Sequence, residues 1–204
     1  VADEQTAGRG RMGRTWIAPP GASLLMSVLL RPDDLPMDRL HLATAAVAMS
    51  GADAVATVAE FEPDLKWPND LLVGTRKLAG VLTEVEASAV VVGIGINCTW
   101  PDELPTEIAD VAVAANHVAG RAVDRDAVLD ALLSSLSGRL VAGWSAVGDE
   151  YASRCATIGK PVRVELMNES YEGTASAVED DGALIVDTTT GPRRVVAGDL
   201  VHLR

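Results

Sequence analysis

A chain of 204 residues with 48% hydrophobic, 23% charged and 3% aromatic content can bury a core of Val, Leu, Ile and Ala, which excludes a disordered or disulfide-stapled polypeptide. A formal net charge of −12 with a pI near 4.6 excludes nucleic-acid binding over most of the surface, because phosphate backbones are held by clustered Lys and Arg. Two cysteines without CxxC spacing and three scattered histidines suggest no zinc site and point to a reduced cytoplasm. No apolar run of about 18 residues and no signal-type amino terminus is evident, so no membrane association is expected.

In chain order, Val1 to Glu4 suits the end of a strand, and Gln5 to Gly21 is a long loop rich in Gly, Arg and Pro. Ser23 to Leu30 is a buried strand. Asp38 to Val58 carries apolar residues at helical spacing, with Pro36 suited to a first turn and Gly51 allowing a helix in two pieces. Leu65 to Trp67 and Leu71 to Val73 are short extended pieces around Pro68-Asn69-Asp70, and Lys77 to Glu86 with Ala89 to Asn97 forms a hairpin. Asp124 caps a helix reaching about Trp144, with Val128, Leu132, Leu136 and Leu140 on one face, and a short helix covers Asp149 to Cys155. Short strands then follow at Val162 to Leu166, Tyr171 to Val178, Ala183 to Asp187, Arg194 to Val196 and Leu200 to Leu203, with Asp181-Gly182 and Thr190-Gly191 as turns. This pattern predicts a small SH3-type barrel over 156–204 behind a larger domain over 1–155.

Three segments carry chemistry. Gly8-Arg9-Gly10-Arg11-Met12-Gly13-Arg14-Thr15-Trp16 combines glycines that free backbone N–H groups with three arginines, a set suited to a carboxylate or phosphate. Gly8 to Thr15 also matches a P-loop if Arg14 replaces the usual Lys. Its context does not: Asp3-Glu4-Gln5-Thr6 precedes and Pro19-Pro20-Gly21 follows, where a P-loop needs a buried strand and then a helix. Lys66-Trp67-Pro68-Asn69-Asp70 followed by Arg76-Lys77-Leu78-Ala79-Gly80 holds two of only three lysines beside fourteen arginines, and Lys supplies a compact point charge where Arg supplies a planar fork. In Val91 to Asn97, Gly93, Gly95 and Asn97 fall on one strand face and Val92, Ile94 and Ile96 on the other, leaving a flat floor that ends in an amide.

In this order, GRGRxGRxW, KWPND, RKLAG and GxGxN resemble the biotin protein ligases over nearly the whole chain. The resemblance implies an α/β, mixed-sheet catalytic domain of the class II aminoacyl-tRNA synthetase and biotin–lipoate ligase type, followed by an SH3-like β-barrel. It implies activation of biotin by MgATP to biotinyl-5′-AMP, then transfer to a lysine of the biotin carboxyl carrier protein of acyl-CoA carboxylases. By the same resemblance, Lys77, Arg9 and Arg11 are catalytic, and Gln5, Gly8, Arg9, Gly10, Arg11, Lys77, Gly80, Gly93 and Gly95 meet biotin. Arg14, Trp16, Asn69 and Asn97 meet the nucleotide, and Asp70 lies toward Mg²⁺.

Two departures bear on these expectations. The family's Ser/Thr-containing segment upstream of the Gly/Arg loop is missing, and Val1 in place of Met fits a chain with sequence before it. There is also no helix-turn-helix, so no nucleic-acid partner is expected from this part. A cytoplasmic monomer or homodimer is expected. A lipoate or octanoate ligase of the same fold and a non-catalytic ligand-binding or adaptor protein remain the alternatives.

Overall fold

The structure, a computed structural model, describes residues 1–31, 35, 37–86, 89–104, 106 and 108–203; Pro36, expected in a first helical turn, lies outside them. Strand β1 (Ser23–Leu30) is followed by helix α1 (His41–Ala59) and strands β2 (Asp64–Lys66), β3 (Asp70–Val73), β4 (Arg76–Glu86) and β5 (Ala89–Asn97). The strands form one sheet in the order β1-β5-β4-β3-β2. Every strand pairing in it is antiparallel. Among the described residues the parallel component expected of a mixed sheet is confined to two isolated bridges, Leu65 to Cys155 and Lys77 to Ala112. The amino-terminal strand likewise shrinks to one bridge, Ala2 to Leu25.

Period-two alternation decides how the sheet is used. Val90, Val92, Ile94 and Ile96 of β5 are buried in the core with α1, while Val91, Gly93, Gly95 and Asn97 face a cavity on the other side. Helix α1 is one continuous helix rather than two pieces. Gly51 is a packing residue: a Cβ there would lie 2.8 Å from Ile94 Cδ1. Although α1 is long and apolar enough to span a membrane, correcting the expectation that no such run exists, its side chains lie mostly in the core. It ends at Glu60, in the left-handed region at φ 63°, where Arg121 donates to the Val58 carbonyl at 2.9 Å.

Helix α2 (Ala115–Ala119) follows, a short element the sequence pattern did not predict. Asp124 caps α3 (Arg125–Ala142), its Oδ1 accepting from the backbone of Asp126 at 2.9 Å and Ala127 at 3.3 Å. Val128, Leu132 and Leu136 are buried as expected, but Leu140 is 37% exposed. The chain breaks at Gly143, φ 90°, so α4 (Trp144–Arg154) starts where α3 was expected to end.

A second antiparallel sheet contains β6 (Pro161–Glu165), β7 (Ser170–Val178), β8 (Leu184–Thr188), β9 (Gly191–Val195) and β10 (Asp199–His202), in the order β10-β6-β7-β8-β9. One apolar cluster runs through both sheets, including Leu24, Ile96, Val164 and Leu200. The seam between them is polar at its edge. Ala156 N donates to Leu65 O at 2.9 Å, Trp67 Nε1 to Gly182 O at 2.9 Å and Trp67 N to Thr157 Oγ1 at 3.0 Å. Thr157 Oγ1, already accepting there, also hydrogen-bonds His202 Nε2 at 3.0 Å, the imidazole tautomer setting which of the two donates.

Candidate active site

The Gly/Arg segment folds back on itself as a short hairpin loop. Gly10 N donates to Arg14 O at 2.7 Å and Trp16 N to Gly8 O at 3.0 Å, around a tip where Met12 (φ 54°) and Gly13 (φ 75°) turn the chain. A Cβ on Gly8 would lie 2.4 Å from the Trp16 carbonyl oxygen, so glycine is what lets the two arms close. Each arginine is tied to a different element. Arg9 meets Glu84 of β4 at 2.8 Å, Arg11 donates to Asn69 Oδ1 at 3.2 Å, and Arg14 pairs with Asp199 of β10.

The loop thereby roofs a cavity of about 750 Å³ over the glycine-bearing face of the first sheet. Gln5, Arg9, Gly10, Arg11, Arg14 and Trp16 line it from the loop side, and Asn69, Asp70, Lys77, Gly80, Gly93, Gly95 and Asn97 from the sheet side. Of the expected site residues only Gly8 is outside the lining, because its place is in the closure of the loop.

The floor is flat for the reason its sequence suggests, but the protein's own Trp16 lies on it. A Cβ at Gly95 would sit 2.7 Å from Trp16 Cε2, and one at Gly80 would sit 2.8 Å from Lys77 Cε and 3.2 Å from Trp16 Cζ3. Lys77 Nζ is 5.6 Å from the Trp16 ring centroid and 2.6 Å from Asp70 Oδ1. Its backbone is gripped by a segment with no sequence signature: Lys77 N donates to Val111 O at 2.7 Å and Val113 N to Lys77 O at 3.0 Å. That segment is backed by Trp100, Leu104, Ile108 and Ala114, with Trp100 Nε1 donating to Ser23 Oγ at 2.7 Å.

Two buried polar atoms beside the floor have no hydrogen-bond partner among the described residues, the Trp16 Nε1 donor and the Asn97 Oδ1 acceptor. Asn97 is 1% exposed, and its Nδ2 donates to Val113 O at 3.0 Å, which fixes the direction of the oxygen. Leaving such atoms unpaired costs about 1–3 kcal/mol each, so they call for a ligand that offers an acceptor and a donor. Asn69 is by contrast satisfied, its Nδ2 donating to Val81 O at 2.7 Å while its oxygen holds Arg11. It positions the loop.

Burial lowers the pKa of Arg11, opposed by Asp70 and reinforced by Arg14. The same holds for Lys66, where burial comes first, Asp70 opposes it, and Lys77 and Arg14 add to it. Lys66 was not expected in the site, nor were Glu165, Asp199 and Leu200, which the second sheet adds to the lining. The scarcity of lysine was the only hint for Lys66, and nothing in the spacing brings β10 to the loop. As a metal site the cavity is thin. No group of three or more His, Cys, Asp or Glu residues suited to a metal occurs among the described residues, so Asp70 fits only a Mg²⁺ that takes its other ligands from phosphate and water.

Residues 1–100 match the Biotin/lipoate A/B protein ligase family and residues 157–203 the Biotin protein ligase C terminal domain. The chain is 38% identical over its full length to a biotin--[acetyl-CoA-carboxylase] ligase of Mycobacterium tuberculosis, covering 78% of that protein. It is 33% identical, over 98% of its own length, to the bifunctional ligase/repressor BirA of Bacillus subtilis, of which it spans 64%. Among solved structures, a biotin protein ligase from Aquifex aeolicus in complex with biotin and ATP superposes with a TM-score of 0.88 at 29% identity, over 99% of this chain and 88% of that one.

Proposed function

The chain belongs to the biotin protein ligase family, and from that membership and the shape of its cavity we propose that it joins biotin to a carrier-protein lysine in two steps. In the first, a biotin carboxylate oxygen attacks the α-phosphorus of MgATP, the bond from that phosphorus to the β-phosphate breaks, and pyrophosphate leaves. In the second, a lysine amine of the carrier attacks the acyl carbon of biotinyl-5′-AMP, loses a proton and releases AMP. The carrier is the biotin carboxyl carrier protein or domain of an acyl-CoA carboxylase, in line with the Mycobacterium tuberculosis relative, which is named for acetyl-CoA carboxylase.

One observation carries the reading: a lysine held at a glycine floor beside two orphaned, buried polar atoms. The first step brings two anions together, so cations and fixed donors must offset their repulsion and stabilise the transition state. Lys77 is assigned to bridge carboxylate and α-phosphate, with Arg9 and Arg11 beside it. Gln5, Gly10, Gly80, Gly93 and Gly95 form the biotin pocket, and Gly8 supports it from within the loop. Adenine offers an amino donor and ring-nitrogen acceptors, which suits the unpaired Asn97 Oδ1 and Trp16 Nε1. Asn69 and Arg14 face the phosphates and ribose, and Asp70 meets the Mg²⁺ that arrives with the nucleotide.

The same reading divides the chain into a catalytic domain over 1–155 and an SH3-like domain over 156–204, and places a monomer or homodimer in the cytoplasm. The test is mass spectrometry of an apo-carrier incubated with the protein, biotin and MgATP. A gain of one biotinyl group on one lysine is expected, and no gain over a control without protein refutes the reading. Lipoate or octanoate in place of biotin separates the related ligase activities, and only background labelling is expected with either.

A further inference from the structure

Among the charged side chains that line the cavity, all but two form an ion pair with a described residue. Lys77 faces Asp70, Arg9 faces Glu84 and Arg14 faces Asp199. Arg11 has only the neutral amide oxygen of Asn69, and the Lys66 side chain makes no hydrogen bond or ion pair with any described residue. A partly buried ammonium without a direct ion pair is unfavourable, and a flexible lysine stem normally carries it out to water. Here the stem rises from a fixed base. Lys66 pairs in register with Asp70 across β2 and β3, and the next residue, Trp67, is bonded through both its backbone and its indole to residues 157 and 182. Lys66 therefore lines the cavity with its charge in the field of Asp70, Lys77 and Arg14.

We propose that Lys66 is a catalytic residue of the first step only, holding the β- and γ-phosphates of ATP and neutralising the pyrophosphate as it leaves. This rests on the ligase reading above. As the carboxylate–phosphorus bond forms and the bond from the α-phosphorus to the bridging oxygen breaks, that oxygen keeps the electron pair and departs with the β-phosphate. The negative charge it gains faces a cation whose attracting carboxylate, Asp70, is already ion-paired with Lys77. Lys77, shared with Asp70, stays with the α-phosphate and the biotinyl carboxylate, and Lys66 keeps its proton throughout. The second step contains no pyrophosphate, so Lys66 has no part in it.

The two steps can be run apart on the same full chain. In Lys66→Gln, biotin-dependent exchange of pyrophosphate into ATP should fall roughly 100-fold, the scale of one lost electrostatic contact to a transition state. Lys66→Arg should recover part of it. Transfer from preformed biotinyl-5′-AMP to the carrier should stay within about twofold of the parent, and calorimetry with magnesium pyrophosphate should show weaker binding to Lys66→Gln. Unchanged exchange overturns the assignment, as does a parallel loss of transfer in both variants, since the lysine then serves the fold or the adenylate. A parent chain that exchanges no pyrophosphate with biotin present refutes the ligase reading itself, a result distinct from a defect confined to the variants.

Discussion

Lys77 lies one-third exposed against Asp70, above a glycine that leaves room for its stem, so removing it takes away charge rather than core volume. Lys77→Ala should reduce adenylate formation by about 10²–10³-fold, or ~2.7–4 kcal/mol of transition-state stabilisation, with a near-parental melting temperature; pyrophosphate exchange alongside a thermal melt checks both. Trp16→Ala removes the indole from the floor and its orphaned N–H, and should weaken ATP binding by roughly 1–3 kcal/mol while changing biotin binding less. Equal losses in calorimetry would contradict a role at the base. The places of Lys77 and Asn97 at the cavity were legible from residue type and strand phase, and that of Trp16 only through the family resemblance. Lys66 was not: a lone lysine at a strand end resembles any solvated one until it is known which neighbouring carboxylates are already engaged. Gly8 misled for a related reason. Its need for glycine comes from the Trp16 carbonyl across the hairpin, a contact that sequence spacing does not reveal.

Glycines set how the elements meet, and their neighbours decide what a methyl group would do. At Gly95 of β5 a Cβ meets the ring of Trp16, a loop side chain that can move away. Gly95→Ala should therefore keep the fold and lose most ligand affinity. At Gly148 of α4 the Cβ would lie 2.8 Å from the backbone oxygen of Asp180 in the turn between β7 and β8, and backbone yields less readily. Gly148→Ala gains about 1 kcal/mol of helix propensity, against an overpacking cost of about 1–3 kcal/mol. A lowered melting temperature with unchanged biotin affinity is expected, and the reverse pattern in either variant would contradict these assignments. A continuous apolar run made β1 legible and period-two runs made β4 and β5 legible almost to the residue, as the cap at Asp124 did for the start of α3. Gly51 was misread because a helix-breaking propensity and a close-packing requirement look alike in sequence, and only the position of Ile94 separates them. The 111–113 segment that grips Lys77 has neither periodicity nor turn signal, since its pairing is with one residue rather than a strand.

Across the whole molecule, the link from Trp67 through Thr157 to His202 ties the KWPND segment to the second sheet. Burial, then Lys160 and Lys66, with Asp64 opposing, push the pKa of His202 down to about 4 from an ordinary 6.5. Between those values the unfolded chain takes up a proton that the folded chain does not. This contribution to stability is full above about pH 6.5 and is lost as pH falls toward 4. Melting curves of parent and His202→Gln should thus converge as pH is lowered through that window, and a constant difference would contradict the linkage. None of this was legible, because Trp67, Thr157 and His202 are far apart in the chain and meet only when both sheets are in place. The seam also bears on how such a chain could trade parts with a relative. Several of its contacts end on main-chain atoms: the Leu65 carbonyl with the Ala156 amide, the Trp67 indole on the Gly182 carbonyl, and Gly148 against the Asp180 carbonyl. A transplanted carboxy-terminal sheet of the same backbone course would supply those whatever its side chains. The polar side-chain contacts across the seam include Arg14 with Asp199, Arg39 with Asp180 and the Thr157 hydroxyl with the Trp67 amide, and the apolar cluster shared by both sheets must match as well, so a working chimera needs from its donor two aspartates, a threonine and apolar residues at places such as Val164 and Leu200, all in register.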